Sequence, residues 1–392
     1  MKKSKVVLGI ERLDEYLDLF KGKRVGLITN PTGIDHTFKS SIDILREKVN
    51  LVALFSPEHG VRASIQAGQH LETYVDDETG ITVYSLYGKT RHPSKEIMDN
   101  IDIMAIDIQD AGSRYYTFIY TMAYCMEACE QYGKKFVVFD RPNPVNGAVC
   151  EGNILDLKYR SFVGYYPITQ RHGMTIGELA LLFNKEYKIG CDLEVIPMLG
   201  WTRDMDFEDT NLPWVLPSPN FPTINTAYAY NATCVLEGTN VEEGRGTTTP
   251  FELFGAPYIK SERFAEALNA HKLKGVYFRP QWFTPTFAKY QGKLCGGVYM
   301  HVTDRKTFES VKTSWVILDT LWKMYPNDFK INPPYVEGRP CMFEFETGCS
   351  YMIERKYPLD VCLNILDEDG KKFNEIRKPY PVSYTHLRAH ET

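Results

Sequence analysis

The chain has 392 residues, enough for two ordinary domains with sizeable cores. Hydrophobic residues make up 43% and charged residues 24%, the balance of a globular protein, and no apolar run is long enough to span a bilayer. The net charge of −5, without a long basic block, argues against nucleic acid or an anionic membrane as partner.

The first residues start like a signal peptide, but the apolar stretch Val6–Ile10 is below the roughly 7–15 residues of an export signal. The chain as written therefore reads as cytoplasmic, or as exported if its start is misplaced. Short apolar runs then alternate with amphipathic segments. Val25–Thr29 is a strand ending in Asn30. Asp35–Lys48 is a helix capped by Asp35. Leu51–Ser56 is a strand that runs into Glu58, and Ile81–Leu86 is another. Ile103–Ile106 ends in Asp107, with Asp110 and Arg114 close behind, and Tyr115–Tyr132 is a long helix. Phe136–Phe139 ends in Asp140-Arg141-Pro142-Asn143. Thr175–Lys188 is amphipathic, and Thr175 with Glu178 forms a capping box at its start. Leu193–Met198 closes the series.

All-apolar runs bounded by turn residues are strands buried on both faces, and their alternation with helices implies a mainly parallel sheet. Ligands bind such sheets at the carboxyl ends of the strands. Four runs ending in Asn30, Glu58, Asp107 with Asp110, and Asp140 with Arg141 thus suggest one shared small-molecule pocket.

The segment Leu212–Pro222 carries four prolines and excludes a helix interior or central strand. A domain division is expected just after it, giving 1–226 and 227–380. In the second part Ser261–Leu268 and Ser310–Tyr325 read as helices, and Gly275–Arg279 and Gly297–Thr303 as strands. Residues 381–392 continue no pattern. From Ser383 they resemble translated sequencing-adapter read-through and are set aside as non-native.

The cofactor chemistries have no motif. The turn after the first strand, Thr29-Asn30-Pro31-Thr32-Gly33, is neither GxGxxG nor a P-loop. No GxSxG elbow serves a nucleophilic serine. The nine cysteines show no CxxC pair and the nine histidines no ligand spacing, so no metal and no cofactor is expected, and the thiols read as reduced. What remains is carboxylates and arginines. Glycoside hydrolysis needs an acid to protonate the leaving oxygen and a means of stabilising an oxocarbenium-like state. A strand-end glutamate beside aromatic residues suits the first task. Glu58, Asp107, Asp110 and Asp140 are the candidates, although each also suits a helix cap or an ion pair with Arg62, Arg114 or Arg141. The arginines suit a substrate carboxylate equally well.

These residues carry a resemblance. Ser56-Pro57-Glu58-His59-Gly60-Val61-Arg62, Asp107-Ile108-Gln109-Asp110-Ala111-Gly112-Ser113-Arg114-Tyr115-Tyr116-Thr117, Asp140-Arg141-Pro142-Asn143-Pro144, Pro217-Ser218-Pro219-Asn220, and Glu237-Gly238-Thr239-Asn240 followed by Gly244-Arg245-Gly246-Thr247 resemble the NamZ family. These are bacterial exo-acting β-N-acetylmuramidases, formerly a domain family of unknown function. The similarity runs from about Gly9 to Tyr380. It implies a Rossmann-like α/β domain with helices on both faces of the sheet, a smaller α+β domain, and an active site in the cleft between them. It also implies release of N-acetylmuramic acid from the non-reducing ends of peptidoglycan fragments, with a saccharide or muropeptide as the only implied partner.

The resemblance assigns Glu58 as the catalytic residue. Asp107 and Asp110 stand as further catalytic candidates. Asn30, His59, Arg62, Arg114, Tyr115, Tyr116, Asp140, Arg141, Asn143, Asn220, Glu237 and Arg245 are carried over as pocket lining. Ala63 departs from the glycine expected after Arg62, and many family members carry the export signal missing here. Two other readings stand beside the glycosidase: a non-catalytic muropeptide-binding protein, and a different glycosidase or amidohydrolase on the same scaffold.

Overall fold

The computed structural model describes residues 6–58, 60–62, 72–88 and 91–382. His59, Ala63 and the tail from Ser383 lie outside the described residues. Ten strands form two sheets. β1 (Arg24–Thr29), β2 (Asn50–Ser56), β3 (Tyr74–Val75), β4 (Thr82–Ser85), β5 (Ile103–Asp107), β6 (Lys135–Phe139) and β7 (Asp192–Ile196) make a seven-stranded sheet in the order β3-β4-β2-β1-β5-β6-β7. All its pairings are parallel except β3 with β4. β8 (Leu253–Ala256), β9 (Val276–Phe283) and β10 (Cys295–Val302) form an antiparallel sheet with β10 in the centre.

The period of two in a strand puts successive residues on opposite faces. In β5, Ile103 and Ala105 pack with the N-terminal segment and the helix Ser41–Lys48, whereas Met104 and Ile106 pack with the helices Phe118–Tyr132 and Ile176–Lys185. β6 alternates likewise, Val137 and Phe139 against Phe136 and Val138. The second of these cores continues from the parallel sheet through the helix Ser310–Met324 to Phe373 in the last helix, Leu359–Arg377. That last helix returns to the first half of the chain. Arg377 donates to the carbonyls of Gly147 and Gly173, and Asp369 accepts from the Ile154 amide at 3.0 Å.

The expected helix over 35–48 is shorter than its pattern. It starts at Ser41, with Ser40 as cap, because Phe38 sits at φ +70° and interrupts the helical path. The Asp35 carboxylate instead accepts from the Thr37 and Lys39 amides in the loop. The long helix likewise begins at Phe118, not Tyr115, leaving Tyr115 and Tyr116 buried in the preceding loop. The capping box at Thr175 and Glu178 forms as its spacing implies. Residue 226 lies in the first turn of a helix, Ile224–Thr233, that has no apolar stripe because nearly every residue in it is buried.

Candidate active site

The carboxyl ends of β1, β5 and β6 are closed by their own side chains. Asp107 is fully buried and paired with Arg141, Nε to Oδ1 at 2.5 Å and Nη2 to Oδ2 at 2.8 Å, while the Ser41 hydroxyl donates to the same carboxylate. Asp140 accepts from the Gly177 amide at 2.9 Å and the Thr175 hydroxyl at 3.0 Å, holding the start of the helix Ile176–Lys185. Asn143 bridges the Met174 carbonyl and the Val145 amide. Asn30 accepts from Thr32 and donates to the Pro217 carbonyl, which brings the proline-rich segment across the strand ends. These are structural bonds. They correct the expectation that Asn30, Asp107, Asp140, Arg141 and Asn143 face a substrate, since these internal bonds already hold them.

Arg114 has the same fate. It is fully buried, and its guanidinium donates to the carbonyls of Asn153, Ile168, Glu346 and Thr347. It ties distant segments together through both of its terminal nitrogens. Tyr115 is buried edge-on to Tyr230. Arg62 turns to the surface, where Asp76 takes its fork at 3.0 and 3.2 Å. The hollow there, about 930 Å³ and lined by Ser40, Arg46, Tyr74 and Asp76 among others, includes none of Glu58's neighbours.

Glu58 is different. It is half-buried beyond the end of β2, and the Thr117 hydroxyl donates to its Oε2 at 2.9 Å. The Tyr87 hydroxyl bonds to it as well. Burial, then the charge and hydrogen bond of Glu58, push that phenol up to about 12, with Glu237 adding to the rise. Tyr87 therefore feels the charge of Glu58 from the first half of the chain and, more weakly, of Glu237 from the second. Tyr116, buried among Phe118, Phe221 and Tyr230, has its hydroxyl near Ser218, Glu58 and Asp110. Burial chiefly raises its pKa, and the two carboxylates add to the effect.

Asp110 lies in the turn that follows β5. Its Oδ2 accepts from the Gly112 amide at 2.7 Å, and Nε2 of His172 is 3.3 Å away. The Met174 amide donates to Nδ1 of His172, so the neutral ring carries its proton on Nε2, toward Asp110. Oδ1 of Asp110 has no hydrogen-bond partner among the described residues. Gly112 makes this turn possible, with φ +74° and a position where a Cβ would meet Asn143 at 2.6 Å.

A second charged cluster comes from the second half of the chain. Glu237 takes Arg245 in a fork, at 2.5 and 3.2 Å, and Glu243 lies 3.6 Å from Nε of the same arginine and 2.7 Å from Lys289. Burial raises the pKa of Glu237, against the pull of Arg245. Glu346, nearly inaccessible, is raised well above the usual range by burial and by Glu237. Ligand-type atoms of Cys234, Glu237 and Glu346 lie within 4.8 Å of one another, the one group among the described residues with a composition able to hold a cation. Lys289 and Arg245 already supply positive charge beside it. Asn220 is half-buried in the turn of the proline-rich segment.

Of the residues named from the sequence, the structure brings Tyr116 near Glu58 and Asp110, and sets Arg245 on Glu237. The sequence reading did not single out Tyr87, Thr117, Ser218, Glu243, Lys289 or Glu346. Thr117 and Ser218 lie inside the quoted motifs, and Tyr87 follows β4, whose carboxyl end obeys the same rule as its neighbours.

Comparison with known proteins gives the family. Family models described as the N-terminal and C-terminal parts of the exo-β-N-acetylmuramidase NamZ match residues 25–225 and 228–382. The chain is 56% identical over 387 residues to the peptidoglycan β-N-acetylmuramidase NamZ of Bacillus subtilis (strain 168), covering 97% of this chain and 92% of that relative. A crystal structure of a DUF1343 family protein from Bacteroides fragilis, at 1.65 Å resolution, superimposes with a TM-score of 0.89 at 36% identity, over 97% of this chain and 100% of that one. A second B. fragilis protein of that family, at 1.30 Å, gives 0.78 at 33% identity, over 96% and 99%. With both family models matching in order and a relative of this identity along nearly the whole chain, the protein belongs to the NamZ exo-β-N-acetylmuramidase family.

Proposed function

We propose that the chain is an exo-acting glycosidase that releases N-acetylmuramic acid from the non-reducing ends of peptidoglycan fragments, with Glu58 as general acid. Family membership and the 56% identity support the activity. The observation that carries Glu58 is its setting. It is the strand-end carboxylate that stays half-buried, oriented by Thr117 and Tyr87, while Asp107 and Asp140 are consumed by internal bonds. An acid held by two hydroxyls keeps its geometry as the leaving oxygen takes the proton.

Asp110 is the second carboxyl we assign, because one of its oxygens has no partner among the described residues and it acts on Tyr116 together with Glu58. Asp107, sealed beneath Arg141 and Ser41, is left with a structural role. The half-buried ring of Tyr87 offers an apolar face to a sugar ring. We read the site as lying between the parts 1–226 and 227–380, a reading supported by Glu58 and Glu237 acting on the same phenol. Nine cysteines, none in a disulfide, support work in a reducing compartment. Among the described residues no helix is long and apolar enough to cross a membrane.

The test is hydrolysis of a chromogenic β-N-acetylmuraminide beside the matching N-acetylglucosaminide. Release from the first alone is expected. Tight binding of muropeptide without turnover would instead establish a binding protein, and turnover of the glucosaminide alone a different glycosidase. Asp110→Asn is expected to lower kcat by at least about tenfold in a folded protein. An unchanged kcat removes Asp110 from the chemistry.

A further inference from the structure

An arginine outside the motifs is placed to read the substrate. Arg91 follows the carboxyl end of β4, the same edge that delivers Tyr87. Its guanidinium lies over the Phe162 ring, 3.8 Å from the centroid. Phe162 in turn packs against Tyr87 at 5.8 Å and stacks on Tyr124 at 6.2 Å. Stacking on an aromatic face holds the guanidinium plane and leaves its edge for hydrogen bonds. Arg91 bonds to the Tyr124 hydroxyl and acts electrostatically on that of Tyr87. Its buried Nε has no hydrogen-bond partner, and among the described residues no carboxylate lies within ion-pair reach of it.

This sets Arg91 apart from the other arginines near the strand ends. Arg62 is taken by Asp76, Arg141 by Asp107, Arg245 by Glu237 with Glu243, and Arg114 by four carbonyls. An arginine already forked onto a carboxylate must give that partner up to bind another. Arg91 has no carboxylate to give up among the described residues, only its bond to the Tyr124 hydroxyl. Its charge also acts on the Tyr87 hydroxyl to which Glu58 hydrogen-bonds, so the acid and the guanidinium act on the same phenol.

We propose that Arg91 is a specificity-determining residue that binds the lactyl carboxylate of the muramic residue. This rests on the reading of the chain as a muramidase. N-acetylmuramic acid differs from N-acetylglucosamine by that lactyl ether, so a bidentate arginine–carboxylate contact is the simplest chemical basis for the distinction.

The test compares kcat/KM on three chromogenic glycosides: the β-N-acetylmuraminide, its lactyl methyl ester and the β-N-acetylglucosaminide. Wild type, Arg91→Ala, Arg91→Gln and Arg91→Lys are each checked for an unchanged melting temperature. Arg91→Gln retains more of the packing on Phe162 if Arg91→Ala folds poorly. Wild-type turnover of the muraminide tests the function itself, separately from Arg91. For Arg91, the expected result is a loss of about 10- to 100-fold on the free acid, mostly in KM. Little change is expected on the ester, so the variants lose the preference for acid over ester, with partial recovery in Arg91→Lys. A wild type indifferent to esterification, or variants that keep the wild-type acid-to-ester ratio, overturns the proposal.

Discussion

The carboxyl ends of β5 and β6 and the carboxyl end of β2 look alike in sequence, each an apolar run ending in a carboxylate, yet they have opposite fates. Asp107 and Asp140 are roofed by Arg141, Ser41, Thr175 and the amide of Gly177 until no oxygen is available to a ligand. Glu58 meets two hydroxyls and stays half-buried. A strand-end carboxylate becomes structural when a cation or a helix start packs over it, and chemical when what packs over it leaves room.

The largest effect that separates the two ends is on turnover. Glu58→Gln keeps shape and removes the transferable proton. Its kcat is expected to fall about 10²–10⁴-fold with little change in melting temperature. Near-normal turnover in the folded variant would move the acid elsewhere. Next is Arg141→Ala, which leaves the buried Asp107 carboxylate uncompensated. Breaking such a pair costs about 3–5 kcal/mol, read as a large fall in the denaturation midpoint. A variant that melts like the wild type but has lost turnover would show that the β5 and β6 edge belongs to the chemistry after all.

A smaller effect depends on pH. Glu242 is buried, and burial followed by the neighbouring Glu243 raises its pKa to about 7. The folded state therefore holds a proton that the unfolded state releases near pH 4.5. Below the unfolded value both states are protonated and the group's contribution to stability is intact. That contribution is lost as pH rises through the folded value, and it levels off above 7. Glu242→Gln is expected to remove this slope, stabilising the protein above pH 7 relative to wild type by on the order of 1–3 kcal/mol. Parallel melting curves against pH for the two proteins would contradict it. The smallest effect belongs to Arg62→Ala, since an exposed arginine with its own aspartate is worth about 0–1 kcal/mol. Its preference for the muraminide over the glucosaminide should equal that of the wild type. A narrowed ratio would return Arg62 to the site.

Much of the fold was legible because its signals are local. The apolar runs of β1, β2, β5 and β6 and the Thr175 capping box depend on neighbours a few residues away. The helix Ile224–Thr233 was not legible, because burial on nearly every side erases the apolar stripe that marks a helix. β8 is only four residues long, and it becomes a strand through its pairing with β10.

The amino-acid order by itself determined the parallel α/β architecture, the strand-end position of Glu58 and the motifs of the family. Side-chain period, turn chemistry and capping are set within a few residues, and a sequence displays them directly. Only the tertiary structure decided which charged groups remain available. Ser41 reaches Asp107 from 66 residues away, and the carbonyls of Glu346 and Thr347 meet Arg114 across 232 and 233. Arg91 is open because no carboxylate among the described residues folds against it. Whether a charge is satisfied depends on what packs over it, and the chain brings that partner from a distance no local pattern records.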